Sequence, residues 1–509
     1  MTLLETFTSN PQYRQSATIF LTCTFAVFLN WLYKAVSQRK QREYVFSGMP
    51  PGPDGYKKGQ ARYRTQCAAV IREGIQKLGE FAVFWVATSI GPVMIAPRKY
   101  LAEVKNHPDL SFADYFRDAF GGAQTGSDEF FRSQNLIKII KKNITQSLSH
   151  VTAALSEETV SAMDIKLPLT DEWIAHTMHP TLQQIIARVS SRVFLGETLC
   201  RDQRWLDIAI NYTTTVMTAG LELRRFGSFL APIAKWCLPS YRALKKAVHD
   251  ADTLIMGVVK ERREQQKIQG DAYVKPNDVL QWAINQGEPD SDLANIQLFL
   301  AFVAIHTTSI TMTHLVYDLC KYPEYVELLR EELREVLGGA NFNAASEVRK
   351  LKKMDSFMKE SQRLHPLQDA TLQRKATQDI EFFDGLRIYN GQIIQVSSRT
   401  VLRDPRIYSD PDTFDGLRSL KLRQEPGQEN AHQFVTSSEN FFAFGHGAHV
   451  CPGRFFAGNQ IKIILSHLLM KYDFKFPDGQ KERPKSIAFD EVINPDPEQE
   501  ILFKRRSYN

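Results

Sequence analysis

At 509 residues, with 43% hydrophobic and 24% charged positions, the chain has the bulk for one large domain or several ordinary ones, and neither a disordered nor a fibrous protein fits it. A formal charge of +6 is mild for this length and no arginine-rich block interleaves with aromatics, so nucleic-acid binding is not expected. The six cysteines, Cys23, Cys67, Cys200, Cys237, Cys320 and Cys451, stand singly without a CxxC pair, which argues against a disulfide framework or a conventional structural zinc site and points to a reducing compartment.

Residues 1–16 form a short leading segment, expected on the non-cytoplasmic side of a membrane. Residues 17–33, ATIFLTCTFAVFLNWLY, are apolar apart from the threonines and Asn30, at about the shortest length that spans a bilayer core. Lys34, Arg39, Lys40 and Arg42 follow at once. A cleaved signal peptide carries its charge before the apolar run, so this order predicts a retained, single transmembrane helix with the following chain cytoplasmic. Residues 34–55 are basic and then proline-rich, ending in MPPGPDG, which denies helix and suits a hinge. Residues 56–509 are then one large globule, since no linker or repeat divides them. The sequons at Asn143 and Asn211 are chance matches on a cytoplasmic chain.

Within the globule, Phe81–Pro97 and the stretch IEFFDGLRIYNGQIIQVSS after Asp379 are β-like, while helical periodicity fills most of the rest; the expectation is a mainly α fold with small β-sheets. A long helix opens near Ser291 and stops before Pro323, roughly 28 residues or about 40 Å at the helical rise. Its middle is apolar on nearly every face, so it runs through the centre of the domain. Pro323 starts the next helix, PEYVELLREELREVLGG, which two glycines end. A third runs from about Ser346 to Leu364 and ends before Pro366.

The segment FFAFGHGAHVCPGRFFAGNQ, residues 441–460, gathers three glycines, two histidines and one cysteine ahead of an amphipathic run. His446, His449 and Cys451 are ligand types that zinc accepts, but zinc needs about four ligands and only one cluster exists. A macrocyclic cofactor that fills the in-plane positions of its metal needs a single thiolate, and haem iron is that case. Pro452 and Gly453 place Cys451 just before a helix N-terminus, where unpaired N–H groups and the helix dipole stabilise a thiolate. Gly445, Gly447 and Gly453 let backbone approach a flat cofactor, and Phe444 is placed to pack against it.

The arrangement Phe444, Gly447, Cys451, Gly453, with Ala457 at the small position beyond, resembles the haem-binding loop of the cytochrome P-450 superfamily. The resemblance implies that fold, a triangular α-helical prism with a long central helix over haem b, with Cys451 as axial thiolate ligand of the iron. It implies that His449 contacts a haem propionate, as does Arg374, with Lys375 a rival. Ile137 takes the place of the family's usual tryptophan, and Lys141 that of its basic propionate ligand. Glu360 and Arg363 match the Glu-x-x-Arg pair and Arg418 its third member, a structural network that fastens the haem loop. Thr307 resembles the oxygen-activating threonine, its hydroxyl turned to the carbonyl one turn back. The acid that usually precedes it is His306, an imidazole able to donate and accept, which makes His306 the candidate for proton delivery.

Residues 410–418, DPDTFDGLR, and the cysteine loop are most similar to filamentous-fungal members resembling ent-kaurene oxidase. That similarity implies a monooxygenase on the endoplasmic reticulum membrane, acting on a terpenoid-like or meroterpenoid secondary metabolite with electrons from a separate NADPH-cytochrome P-450 reductase, with cytochrome b5 as an alternative electron donor. Five stretches would line its apolar pocket: Phe112–Phe120, Thr218–Phe229, Phe302–Thr308, Leu367–Leu372 and Phe489–Asn494. Two alternatives stay open, namely desaturation, ring formation or isomerisation by the same haem-thiolate centre, and a non-catalytic haem- or zinc-binding membrane protein.

Overall fold

In the computed structural model the β-like stretch at Phe81–Pro97 becomes a hairpin, Phe84–Thr88 (β1) and Gly91–Ala96 (β2), because its apolar residues alternate between two covered faces. Phe84, Val86, Val93 and Ile95 pack with Tyr63, Cys67, Val70 and Ile71 of the helix Gly55–Leu78 (α1), while Trp85, Met94 and Ala96 pack on the other side with Leu101 and Val104. Burial of both faces explains why the stretch reads as an unbroken hydrophobic run. Leu110–Ser111 (β3), Ala370–Ala376 (β4) and Ile393–Ser397 (β5) complete a sheet of order β1-β2-β5-β4-β3, antiparallel throughout except for the β2–β5 pair. A separate hairpin, Ile487–Phe489 (β6) with Val492–Asn494 (β7), lies against α1 and bridges to Gln368. The structure describes residues 44–126, 134–338 and 345–507, with Phe342 and isolated positions before residue 29; the expected anchor at 17–33 otherwise lies outside the described residues.

Helices make up the larger part of the molecule. In chain order the ones that build the site are Phe112–Phe120 (α2), Leu148–Lys166 (α3), Met178–Leu195 (α4), Gln203–Arg224 (α5), Pro239–Gln269 (α6) and Asp290–Lys321 (α7). Then come Glu324–Leu337 (α8), Ala345–Lys350 (α9), Lys352–Leu364 (α10) and Arg454–Lys471 (α11). The central helix α7 is packed by α4, α5 and α6, as its all-round apolar character requires. Among the described residues it is the one helix long and apolar enough to cross a membrane, with mean hydropathy 1.5, yet 67% of that stretch is buried, so here it is the core.

Helix α8 starts one residue after Pro323 and closes on Gly338, which takes the left-handed conformation expected of a terminating glycine (φ 57°). The single helix expected from Ser346 to Leu364 is instead two, broken at Leu351 (ψ 77°). The cause lies in another element: the Glu332 carboxylate of α8 accepts the Lys353 and Met354 N–H groups at 2.6 and 2.9 Å, capping α10 from outside its own sequence. Helix α10 ends at Leu364, two residues before Pro366, as expected.

Candidate functional site

Cys451 is a free cysteine in the turn that enters α11. Its N–H bonds the Phe444 carbonyl at 2.8 Å, and the Arg454 guanidinium bonds its own carbonyl at 2.9 Å, so the loop presents the sulfur from a closed frame. Burial dominates and holds the thiol pKa above its ordinary value, and the N–H groups of Gly453 and Arg454 and the Arg454 charge offset only part of that rise. Phe444 packs edge-on to Phe434 at 5.3 Å, which anchors the loop to the main core. Gly447 (φ 75°) owes its lack of side chain to a protein neighbour: a Cβ would sit 2.5 Å from Asn106 Oδ1 and 2.8 Å from the Lys105 carbonyl. Gly453 is different, because a Cβ there would meet open space.

The two histidines of the loop diverge. His446 is held by Ser437 Oγ at 3.0 Å, whereas the His449 ring lies 6.2 Å from that of Phe112 and close enough to Arg374 and Lys141 for both charges to depress its pKa, after burial. Among the described residues no group of three or more His, Cys, Asp or Glu side chains could hold a metal ion, so the zinc reading of His446, His449 and Cys451 falls.

Arg374, 2% exposed on β4, stacks over Phe112 at 5.8 Å and bonds the Gln373 carbonyl; its Nε and Nη2 have no partner among the described residues. Burial pushes its pKa down to about 10. The rival Lys375 is spent on Asp118 at 2.5 Å. Lys141 sits on a widened turn, Ile139–Ile144, with Ile137 just before it. The structure thus brings Arg374, His449 and Lys141 to one rim, and the Arg374 donors there are buried and unused. Such donors are costly unless an anion meets them, and a haem with two propionates is an anion of that kind.

From this rim an aromatic wall leads to the central helix. Phe112 lies 6.2 Å from Phe116, Phe116 stacks on Phe120 at 4.1 Å, and both meet Phe302 of α7 edge-on at 5.7 and 5.3 Å. In the middle of α7, Phe302, Val303, Ala304, His306 and Thr311 are half-buried and Thr307 is exposed; Val303, Ala304 and Thr307, at i, i+1 and i+4, form an open stripe. The Thr307 hydroxyl donates to the Val303 carbonyl at 2.7 Å, one turn back as expected. His306 does not share the stripe: its Nε2 lies 2.8 Å from the Ile210 carbonyl of α5 and its Nδ1 3.3 Å from Gln183 of α4.

Glu360, Arg363 and Arg418 meet in a buried network. Arg363 gives Glu360 two hydrogen bonds of 2.8 Å, and Arg418 Nε reaches both Glu360 oxygens at 3.2 Å. Their other donors go to main-chain carbonyls between Leu402 and Thr413. Two more residues of α10 hold the approach to the cysteine loop. Lys359 donates to the Gln433 and Thr436 carbonyls at 2.8 and 3.2 Å, and Asp355 accepts from the Phe434 N–H at 2.8 Å and from Lys462 of α11 at 2.5 Å. The sequence signal for this pair was the i, i+4 spacing of an acid and a base beside Glu360, which is too common on helix surfaces to single them out.

A family model described as Cytochrome P450 matches residues 60–503. The chain belongs to the cytochrome P450 family. It is 36% identical to the cytochrome P450 monooxygenase AN1598 of Emericella nidulans, covering 87% of this chain and 84% of that protein. It is also 36% identical to the cytochrome P450 monooxygenase olcJ of Penicillium canescens (86% and 83% covered), and 33% identical to braC of Annulohypoxylon truncatum over 96% and 97% of the two chains. The solved structure of retinoic acid bound cyanobacterial CYP120A1 superposes with a TM-score of 0.66 at 17% identity, covering 91% of this chain and all of that one, a likeness of fold. This P450 is accordingly a haem-thiolate monooxygenase with haem b as its cofactor, and the unused donors of Arg374 and the single cysteine of the loop fit that group.

Proposed function

We propose that this P450 is a membrane-anchored monooxygenase that hydroxylates or otherwise oxidises a bulky apolar secondary metabolite of terpenoid or meroterpenoid type. It works at the endoplasmic reticulum membrane with O2 and electrons from NADPH through a separate cytochrome P-450 reductase. The observation that carries the reading is the wall of Phe112, Phe116, Phe120 and Phe302: four aromatic rings in continuous contact between the rim at His449 and the open stripe of α7. A wall of this kind orients a large hydrocarbon and excludes water while offering no charge to pair with a polar substrate.

Bound haem supplies the iron chemistry that inserts one oxygen atom of O2 into a C–H bond. Cys451 ligates it as thiolate, helped by the N–H groups of Gly453 and Arg454, and Phe444 and Gly447 shape the loop that carries the sulfur. Arg374, His449 and Lys141 hold the propionates. Thr307 holds a proton at Oγ1 on the stripe, where its bond to Val303 fixes the hydroxyl. Glu360, Arg363 and Arg418 keep the surrounding chain in place.

Attachment to a bilayer has support in the segment between α5 and α6, where Ile233 and Trp236 are 69% and 64% exposed and Lys235 lies over the Trp236 ring at 5.2 Å. An apolar pair with a basic neighbour suits the headgroup boundary. The test is co-expression of the full chain with a fungal reductase in a host fed candidate terpenoids under labelled dioxygen. The expected product carries one labelled oxygen, and the enzyme itself collects in the microsomal fraction. A dehydrogenated or rearranged product without label would replace hydroxylation by desaturation or isomerisation, and turnover confined to small polar compounds would overturn the substrate class.

A further inference from the structure

His306 stands immediately before Thr307, yet neither of its ring nitrogens is free to carry a proton to the stripe. The Ile210 carbonyl at 2.8 Å can only accept, so Nε2 bears the hydrogen. The Gln183 amide nitrogen lies 3.3 Å from His306 Nδ1 and 3.1 Å from His179 Nε2, and it has one hydrogen for each. His179 Nδ1 in turn lies 3.0 Å from Thr313 Oγ1, whose hydroxyl donates to the Ser309 carbonyl at 2.7 Å. Every group is satisfied only when both imidazoles are neutral. Turning the Gln183 amide over would require a hydrogen on both nitrogens of His306, an imidazolium in a site whose burial pushes both histidine pKa values down, that of His179 to about 4. Because an amide donates in both directions, the chain of bonds diverges at Gln183 and conducts no proton along it.

What His306 does hold is α5. That helix joins the two sides of the aromatic wall. At Ile210 it is tied to α7 through His306, and at its far end Arg224 donates to the carbonyls of Ser89, Asp118 and Ala119 at 3.1, 2.5 and 2.8 Å, which ties it to the β1–β2 turn and to α2. Between the ties it presses on α2 so closely that a Cβ on Gly220 would sit 2.4 Å from the Phe120 carbonyl oxygen. We propose that His306 is a positioning residue that sets the seat of α5 over the stripe of α7, through the Ile210 carbonyl and with Gln183 fixing its ring, and is not the proton carrier of the reaction. The proposal rests on the reading of the aromatic wall as the substrate pocket.

The test uses the full-length holoenzyme with His306→Leu, Gln183→Leu and His306→Gln. The last supplies an amide that donates to Ile210 and accepts from Gln183 but carries no proton. Three measurements are made: amide hydrogen exchange in α5 after Ile210, Soret-shift titration with clotrimazole as a bulky apolar probe and imidazole as a small one, and peroxide released per NADPH with a reductase supplied. The leucine variants should exchange faster in α5 and bind clotrimazole about tenfold more weakly, the scale of one lost hydrogen bond, with imidazole binding unchanged. His306→Gln should restore both properties and the parent peroxide yield. Peroxide raised alike in His306→Gln and His306→Leu, with α5 exchange at the parent level in both, would make His306 a proton carrier and overturn the proposal. If the parent binds imidazole but not clotrimazole, the apolar pocket fails, and hydrogen exchange alone then decides the seat of α5: unchanged exchange in His306→Leu refutes it.

Discussion

Replacing Arg363 by alanine is the sharpest perturbation of the frame around the cysteine loop. Arg363 is 1% exposed and every donor of its guanidinium is used: Nε and Nη2 bond Glu360 at 2.8 Å each, Nη1 bonds the carbonyls of Leu402 and Pro411 at 2.8 and 2.6 Å, and Nη2 also reaches Thr413 at 3.3 Å. Alanine leaves the Glu360 carboxylate, 2% exposed, with only Arg418 at 3.2 Å and the Asp415 N–H at 3.1 Å, and takes the Arg363 donor from the carbonyls of Leu402 and Pro411, while Thr413 keeps Arg418 at 3.2 Å. Breaking a buried pair by removing one partner costs about 3–5 kcal/mol, and the carbonyls account for about 0.5–1.5 kcal/mol each of that sum. Lysine keeps the charge but its single ammonium cannot span two carboxylate oxygens and three carbonyls, so it recovers little. Arg418→Ala should cost about half as much, since its side chain is 12% exposed and Arg363 remains on Glu360. The assay is haem per chain after purification together with the urea midpoint of the holoenzyme. An Arg363→Ala protein with full haem and a parent-like midpoint would refute the reasoning.

Burial pushes the Glu491 carboxyl up to about 7, with Asp490 beside it adding to the shift. A folded-state value above the unfolded one near 4.3 means that folding favours the protonated form, so its stabilisation is full below about pH 4 and is lost as pH rises to 7, about 4 kcal/mol in all. Glu491→Gln should therefore raise the unfolding midpoint at pH 8 and leave it unchanged at pH 4, read by thermal scans across that range. Arg374→Leu should stabilise the haem-free chain by about 1–3 kcal/mol by removing buried unpaired donors, while speeding haem loss to apomyoglobin; slower loss would remove Arg374 from the rim. Gly220→Ala drives a Cβ into the Phe120 backbone and should cost about 1–3 kcal/mol, with weaker clotrimazole binding than in the parent.

Local sequence carries signals that act within a few residues, and those were legible. Apolar residues on every face marked α7 as the core helix, Pro366 and Gly338 marked helix ends, and the loop around Cys451 declared a single sulfur ahead of a helix. The Glu360–Arg363 pair is a neighbour effect of one helical turn, but its third member lies 58 residues away from Glu360 and was named by resemblance alone.

Tertiary structure decided what the residue types left open. His306 has the chemistry of a proton carrier, and only its partners, Gln183 at 123 residues and Ile210 at 96 residues distance along the chain, turn it into a tie for α5. The break at Leu351 comes from a Glu332 carboxylate on another helix, and at Gly447 it is Asn106 and Lys105, distant in sequence, that leave no room for a Cβ. The physical reason is common to all three. Periodicity and capping are set by contacts within one turn, whereas the partner of a hydrogen bond is whichever group the packed helices bring within about 3 Å, and that choice is made by the fold as a whole.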